Sequence, residues 1–144
     1  MAITGLKAKM YRNTGTFATP VWVEIVNIRD NTLNLEKGTA DVSNRASDFR
    51  RILTTLKNGT DDFQMVWDVA DPDFTVIQTA FFDDTLVDFA IMDGDITVSG
   101  NQGLRGEFEI VNFSRAEPLE DAVVADVSIA LGFSADLPFW FTVV

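Results

Sequence analysis

Apolar and polar residues alternate with a period of two through most of this chain. No other feature constrains the fold as much. Successive side chains of a strand point to opposite faces, so a strand with one buried face needs that rhythm. Leu6, Ala8 and Met10 alternate with Lys7, Lys9 and Tyr11, and Phe63, Met65 and Trp67 with Asp62, Gln64 and Asp68. Phe108 and Ile110 alternate with Glu107 and Glu109; Val123, Ala125, Val127 and Ile129 alternate with Val124, Asp126 and Ser128. Residues 21–28 are apolar on both faces apart from Glu24 and Asn27, which predicts a central strand or one covered by a partner.

One stretch departs from this rhythm. Asp71-Pro72-Asp73 pairs a helix-capping carboxylate with Pro at the first helical position, where its missing N–H costs nothing. Phe74, Ile77 and Phe81 then recur at helical spacing, predicting one short helix over 72–82 that docks through those side chains. Asp93-Gly94-Asp95 and the run 99–103 read as turns flanking a strand, and 114–121, with Pro118, as a hairpin loop. Residues 30–58 are polar and weakly periodic, and read as a long loop, mobile in an isolated subunit. The expected fold is mainly β (α+β): an antiparallel β-sandwich or small barrel with one flanking helix, in a single domain over 1–144.

Composition narrows the chemistry. The chain has neither Cys nor His, so thiolate chemistry is excluded, as are the commonest general base and zinc ligand. Its net charge of −11 should repel nucleic acid and anionic membranes, because affinity for both comes from Lys and Arg. No apolar run reaches the roughly 18 residues of a spanning helix, and the start of the chain lacks a signal-peptide core, so a cytoplasmic product is expected. The adjacent carboxylates Asp61-Asp62, Asp83-Asp84 and Glu120-Asp121 point to opposite faces if extended. Asp93-Gly94-Asp95 lacks the further ligands of a calcium loop, and Gly100 and Gly103 lack the Lys of a phosphate loop. No catalytic, cofactor or metal site is expected, and no enzyme. The basic island of Arg45, Arg50, Arg51 and Lys57 is either a solvated loop or a contact with an acidic surface. In so acidic a protein that surface can be another copy of itself.

Three stretches carry a family resemblance. The run from Ala40 to Trp67 begins Asp41-Val42-Ser43-Asn44-Arg45, passes a polar gap and Phe49, and continues through Leu53 and Leu56 into a strand. The helical stretch from Asp71 to Phe82 follows, and then the hairpin over 103–130, whose first strand ends Phe113-Ser114 before Pro118. In this order and spacing the chain resembles the phage major tail tube proteins and, more distantly, the tube proteins of type VI secretion. The aromatic ending Leu137-Pro138-Phe139-Trp140-Phe141 departs from that pattern.

The resemblance implies a virion structural protein made in the bacterial host cytoplasm, its β-sandwich assembling into hexameric rings that stack into a hollow tube. Partners would be further copies of itself, the tape-measure and other tail proteins, and DNA passing through without specific binding; no membrane is implied. It also implies that the long loop bearing Arg45, Arg50, Arg51 and Lys57 reaches a neighbouring ring. On the hairpin, Leu104, Phe108, Ile110, Val123, Val127 and Ile129 should meet the core. The opposite face, with Arg105, Glu107, Glu109, Asp126 and Ser128, is then the candidate wall of the channel. The competing reading is a monomeric binding module, for instance for carbohydrate, using Tyr11, Trp22 or Trp140 as stacking platforms.

Overall fold

Eight strands and one α-helix make up the computed structural model, which describes residues 2–144. In chain order they are β1 (Lys9–Asn13), β2 (Trp22–Glu24), β3 (Ile28–Asp41), β4 (Ile52–Val66), α1 (Pro72–Asp83), β5 (Val87–Met92), β6 (Gln102–Ala116), β7 (Val124–Leu131) and β8 (Phe139–Thr142). Every pairing is antiparallel. The strands form one sheet in the order β2-β1-β5-β6-β7-β4-β3, with β8 beside β6. The sheet is continuous and open, and it folds over so that its two halves share a core. Met10, Phe89, Ile91 and Leu104 from one half meet Phe63, Met65, Val127 and Ile129 from the other.

The strand β6 makes the turn between the halves. Its first part lies between β5 and β8, through Gly103↔Met92 and Gly103↔Phe141, and its second part pairs with β7 from Phe108↔Leu131 to Ala116↔Val124. The partners change at Phe108, and a register shift between Ile110 and Asn112 follows just beyond it, as expected where a bulge bends a strand. Burial follows the predicted face: Leu104, Phe108, Ile110, Val127 and Ile129 are all in the core. Val123 precedes β7 and is half-buried, while Val124, on the opposite face, is buried instead.

The helix closes one end of the core. The Asp71 carboxylate accepts from the Asp73 N–H at 3.1 Å, and Pro72 occupies the first turn. Asp84 ends the helix in the left-handed region at φ 56°. Phe74 and Ile77 are fully buried, while Phe81 is only half-buried and stacks on Phe113 at 6.2 Å. Trp67 meets Phe74 edge-on at 4.8 Å. Arg12 on β1 bonds Asp73 at 2.9 Å and ties the first helical turn to the sheet.

Four sequence expectations are corrected. Residues 5–7 are a short 3-10 turn and Leu6 is almost fully exposed, because β5 ends at Met92 and leaves residues before Lys9 no strand to pair with. Residues 21–28 are not a central strand: β2 is a three-residue edge, and residues 25–27 cross from one end of the sheet to the other. Residues 93–101 form one connection containing no strand. The supposed loop over 30–58 is two long strands and a tip.

Candidate assembly surfaces

The most prominent feature is the β3–β4 arm. The two strands stay in register from Ile28↔Met65 to Asp41↔Ile52, with a shift between Lys37 and Thr39. The third strand, β7, accompanies β4 only as far as Thr60↔Ala130. Beyond Gly59, which is buried and still lies close to Leu104 and Leu131, β3 and β4 continue as a two-stranded ribbon with both faces open.

Such a ribbon alone is marginal in water, and this one carries apolar side chains that cover nothing. Leu35, Ile52, Leu53 and Leu56 are exposed along the shaft and Phe49 at the tip; Leu56 is 86% exposed. The tip is built by short-range bonds. Ser43 N–H reaches the Asp41 carboxylate at 2.8 Å, Arg51 N–H reaches Ser43 Oγ at 2.8 Å, and the Arg51 guanidinium reaches Asn44 Oδ1 at 2.8 Å. Hydrogen bonds from Ser43 hold the Asp41 carboxyl below its ordinary pKa.

All four members of the basic island lie on this arm and are exposed: Arg45, Arg50 and Arg51 at the tip, Lys57 on the shaft. Lys57 stands directly opposite Lys37, a like-charge pair that opposes ribbon formation in isolation. Between residues 34 and 58 these five basic residues outnumber the acidic Glu36, Asp41 and Asp48, while the chain as a whole carries −11. The arm is therefore a basic, greasy extension of an acidic body.

A second surface is the outer face of β4, β7 and the far half of β6. The registers set residues into rows: Thr60, Ala130 and Glu109; Asp62, Ser128 and Asn112; Gln64, Asp126 and Ser114. The charged side chains in these rows are all carboxylates, and Gln64 donates to Asp126 at 2.8 Å. Three of the five predicted wall residues, Glu109, Asp126 and Ser128, share this face. Glu107 lies one step down β6, opposite Asp88 on β5 and bonded by the Ser134 hydroxyl. The sequence reading missed Asp62, Asn112 and Ser114, which only strand register brings alongside.

Arg105 was expected on the same solvent-facing wall and is instead 5% exposed. Its guanidinium pairs with Asp88 at 3.0 Å, donates to the Phe17 carbonyl at 2.7 Å, and lies over the rings of Phe17 and Trp22 at 4.0 and 4.8 Å. Phe139 adds a third ring at 5.7 Å. The aromatic ending, which the family pattern left without a role, is β8. It pairs with β6 through Leu104↔Trp140 and Arg105↔Phe139 and seals this pocket. Tyr11 is buried and its hydroxyl accepts from Ile96 N–H at 3.2 Å; Trp22 covers Arg105; Trp140 is half exposed, donating to Gln102 at 2.8 Å. The three rings do not share an open platform. Among the described residues, no cluster of Asp and Glu is arranged to hold a metal ion.

No family model and no curated protein matches this sequence. Solved structures do. A chain from the tail of an empty gene transfer agent particle, refined with C6 symmetry, superposes with TM-score 0.73 at 18% identity, covering 92% of this chain and 96% of that one. A chain of the SPP1 tail tube gives TM-score 0.73 at 14% identity, covering 98% of this chain and 80% of that one. A chain of the anti-feeding prophage baseplate, 6-fold symmetrised, gives 0.57 at 10% identity, covering 99% of each. The chain has the fold of phage tail tube proteins, as the order of its sequence stretches suggested.

Proposed function

We propose that this chain is a structural subunit, not a catalyst, of a phage or phage-derived tail tube. Subunits made in the bacterial host cytoplasm assemble into hexameric rings that stack around a channel for DNA. The observation that carries the reading is the arm. A ribbon with exposed Leu53, Leu56 and Phe49 and a basic tip has no use within its own subunit. Exposed apolar surface of this kind marks contact with another molecule, and the acidic body of a second copy complements its charge. The outer edge of β3 is unpaired along its 14 residues and the free edges of β2 and β8 are short, so sheets can join from subunit to subunit. The fold neighbours, two of them from assemblies treated with six-fold symmetry, support a closed ring of six.

Within such a ring the acidic face of Glu109, Asp126 and Ser128, with Glu107 beside it, is assigned to the channel wall. A basic wall would bind phosphates at many points and hold DNA still; like-charge repulsion keeps the polymer sliding. Arg45, Arg50, Arg51 and Lys57 are assigned to the next ring, with the tape-measure and other tail proteins as further partners.

The test is electron microscopy of concentrated protein. Rings or rods in the wild type, lost when Leu53 and Leu56 are both changed to Ser while the subunit stays folded, support the proposal. A monomer at every concentration, with or without other tail proteins, overturns it.

A further inference from the structure

Asp61 is fully buried and neither of its carboxylate oxygens has a hydrogen-bond partner. A buried polar group without a partner is costly, and an ionised one more so. Its position gives that cost a place to act. Asp61 lies one residue inside Thr60, where β7 stops accompanying β4 and the arm begins. It stands between Leu33 on β3 and Ile129 on β7, on the core face. Next along that face is Gly59, where an added Cβ would come within 3.2 Å of Leu104 and of Leu131 and 3.4 Å of Leu35. The root of the arm is thus a close leucine packing at Gly59, next along the face from one buried carboxyl group.

No cation is in place to neutralise it. On β3 the same face presents Asn31, Leu33 and Leu35, and on β7 it presents Val127, Ile129 and Leu131. Across the core lie Met10 of β1, Phe89 and Ile91 of β5, and Leu104, Phe108 and Ile110 of β6. The cations around these faces lie elsewhere: Arg12 bonds Asp73, Arg115 bonds Glu117 and covers the Trp67 ring, Lys9 pairs with Glu24, and Arg29 is exposed in the groove that Leu33 also lines. Lys37 and Lys57 share the face of Asp61 but stand four residues out along the ribbon, about 13 Å away. The adjacent Asp62 adds a repelling negative charge.

We propose that Asp61 is a proton-operated latch at the root of the β3–β4 arm. As the neutral acid it packs between Leu33 and Ile129 and fixes the arm on the body; when it ionises it must reach water, and the root opens. Burial, with Asp62 adding to it, pushes the carboxyl up to about 8, so the latch is closed at neutral pH and opening costs less as pH rises. The latch itself follows from the subunit alone; only its consequence, arm presentation governed by pH, rests on the tube assignment.

Amide exchange of the isolated subunit tests it. Protection, corrected for intrinsic rates, should fall about tenfold per pH unit between about pH 5 and about pH 7.5 at the root amides of Leu33, Leu35, Gly59 and Asp61. The amides of Phe89 and Phe108, which open only with the whole subunit, should stay better protected than the root at every pH, and Asp61→Asn should abolish the slope at the root. A carboxyl-carbon NMR titration of the wild type is an independent measure that needs no variant. A root slope unchanged in Asp61→Asn, root protection equal to that of Phe89 and Phe108, or Asp61 titrating near an ordinary carboxylate value would each overturn the latch. None of these outcomes bears on whether rings form, which microscopy reads separately.

Discussion

Arg105 and Asp88, on neighbouring strands β6 and β5, form an ion pair of 3.0 Å in which both side chains are more than nine-tenths buried. Asn13 donates to the same Asp88 oxygen at 2.9 Å, and the rings of Phe17, Trp22 and Phe139 close over the guanidinium. The first hairpin and the C-terminal strand are thereby held on one charge. Removing either partner strands the other in a dry site. Arg105→Leu or Asp88→Ala should cost about 3–5 kcal/mol in denaturant unfolding. Arg105→Lys should restore little, because an ammonium cannot bond Asp88 and Phe17 while stacking on three rings.

The helix offers a graded test. Asp71→Ala removes the cap and should cost about 1 kcal/mol. Phe74→Ala, at a fully buried site, should cost about 3–5 kcal/mol. Phe81→Ala should cost less than Phe74→Ala, since Phe81 is only half-buried against Phe113. Equal losses at the two Phe positions in thermal unfolding would contradict this packing.

Asp61 makes the subunit less stable toward alkaline pH. Below its ordinary value of 3.8 the carboxyl is protonated both folded and unfolded and contributes no pH dependence. Above that value the unfolded chain releases the proton while the folded chain keeps it, so stability falls by about 1.4 kcal/mol per pH unit. The decline ends near pH 8, where the folded group also ionises. Urea unfolding of wild type and Asp61→Asn across this range should diverge with that slope.

The acidic face can be tested in assembled tails. Changing Glu109 and Asp126 together to Lys reverses the charge of two rows on the proposed channel wall. Assembly should survive and DNA ejection should slow, most strongly at low salt where phosphate contacts are tightest. Ejection kinetics equal to wild type at low and high salt would remove these residues from the channel.

Charge reversal at the arm tip has a different signature. Arg45 and Arg50 changed to Glu should leave subunit unfolding within about 0.5 kcal/mol, because both are exposed. Rod formation in light scattering should fail at concentrations where the wild type assembles. In the wild type, amides of residues 36–57, beyond the root, should exchange fast in the subunit and slowly in rods.

The sequence by itself determined the elements that bury one face. Phe63 and Met65, Phe108 and Ile110, and Val127 and Ile129 announce their strands because a core face imposes period two, and Asp71-Pro72 announces a helix because capping is local chemistry. The arm escaped for the same reason in reverse. A ribbon open on both faces has nothing to enforce alternation, so Leu53, Leu56 and Phe49 carry no readable rhythm. What only the tertiary structure decided are the meetings of residues far apart in the chain. Arg105 and Glu109 look alike as polar positions on one strand. Whether such a position is buried depends on what the rest of the chain lays over it, here Phe17 and β8. Asp61 is the mirror case: a carboxylate beside another carboxylate reads as surface until strand register puts Leu33 and Ile129 on either side of it.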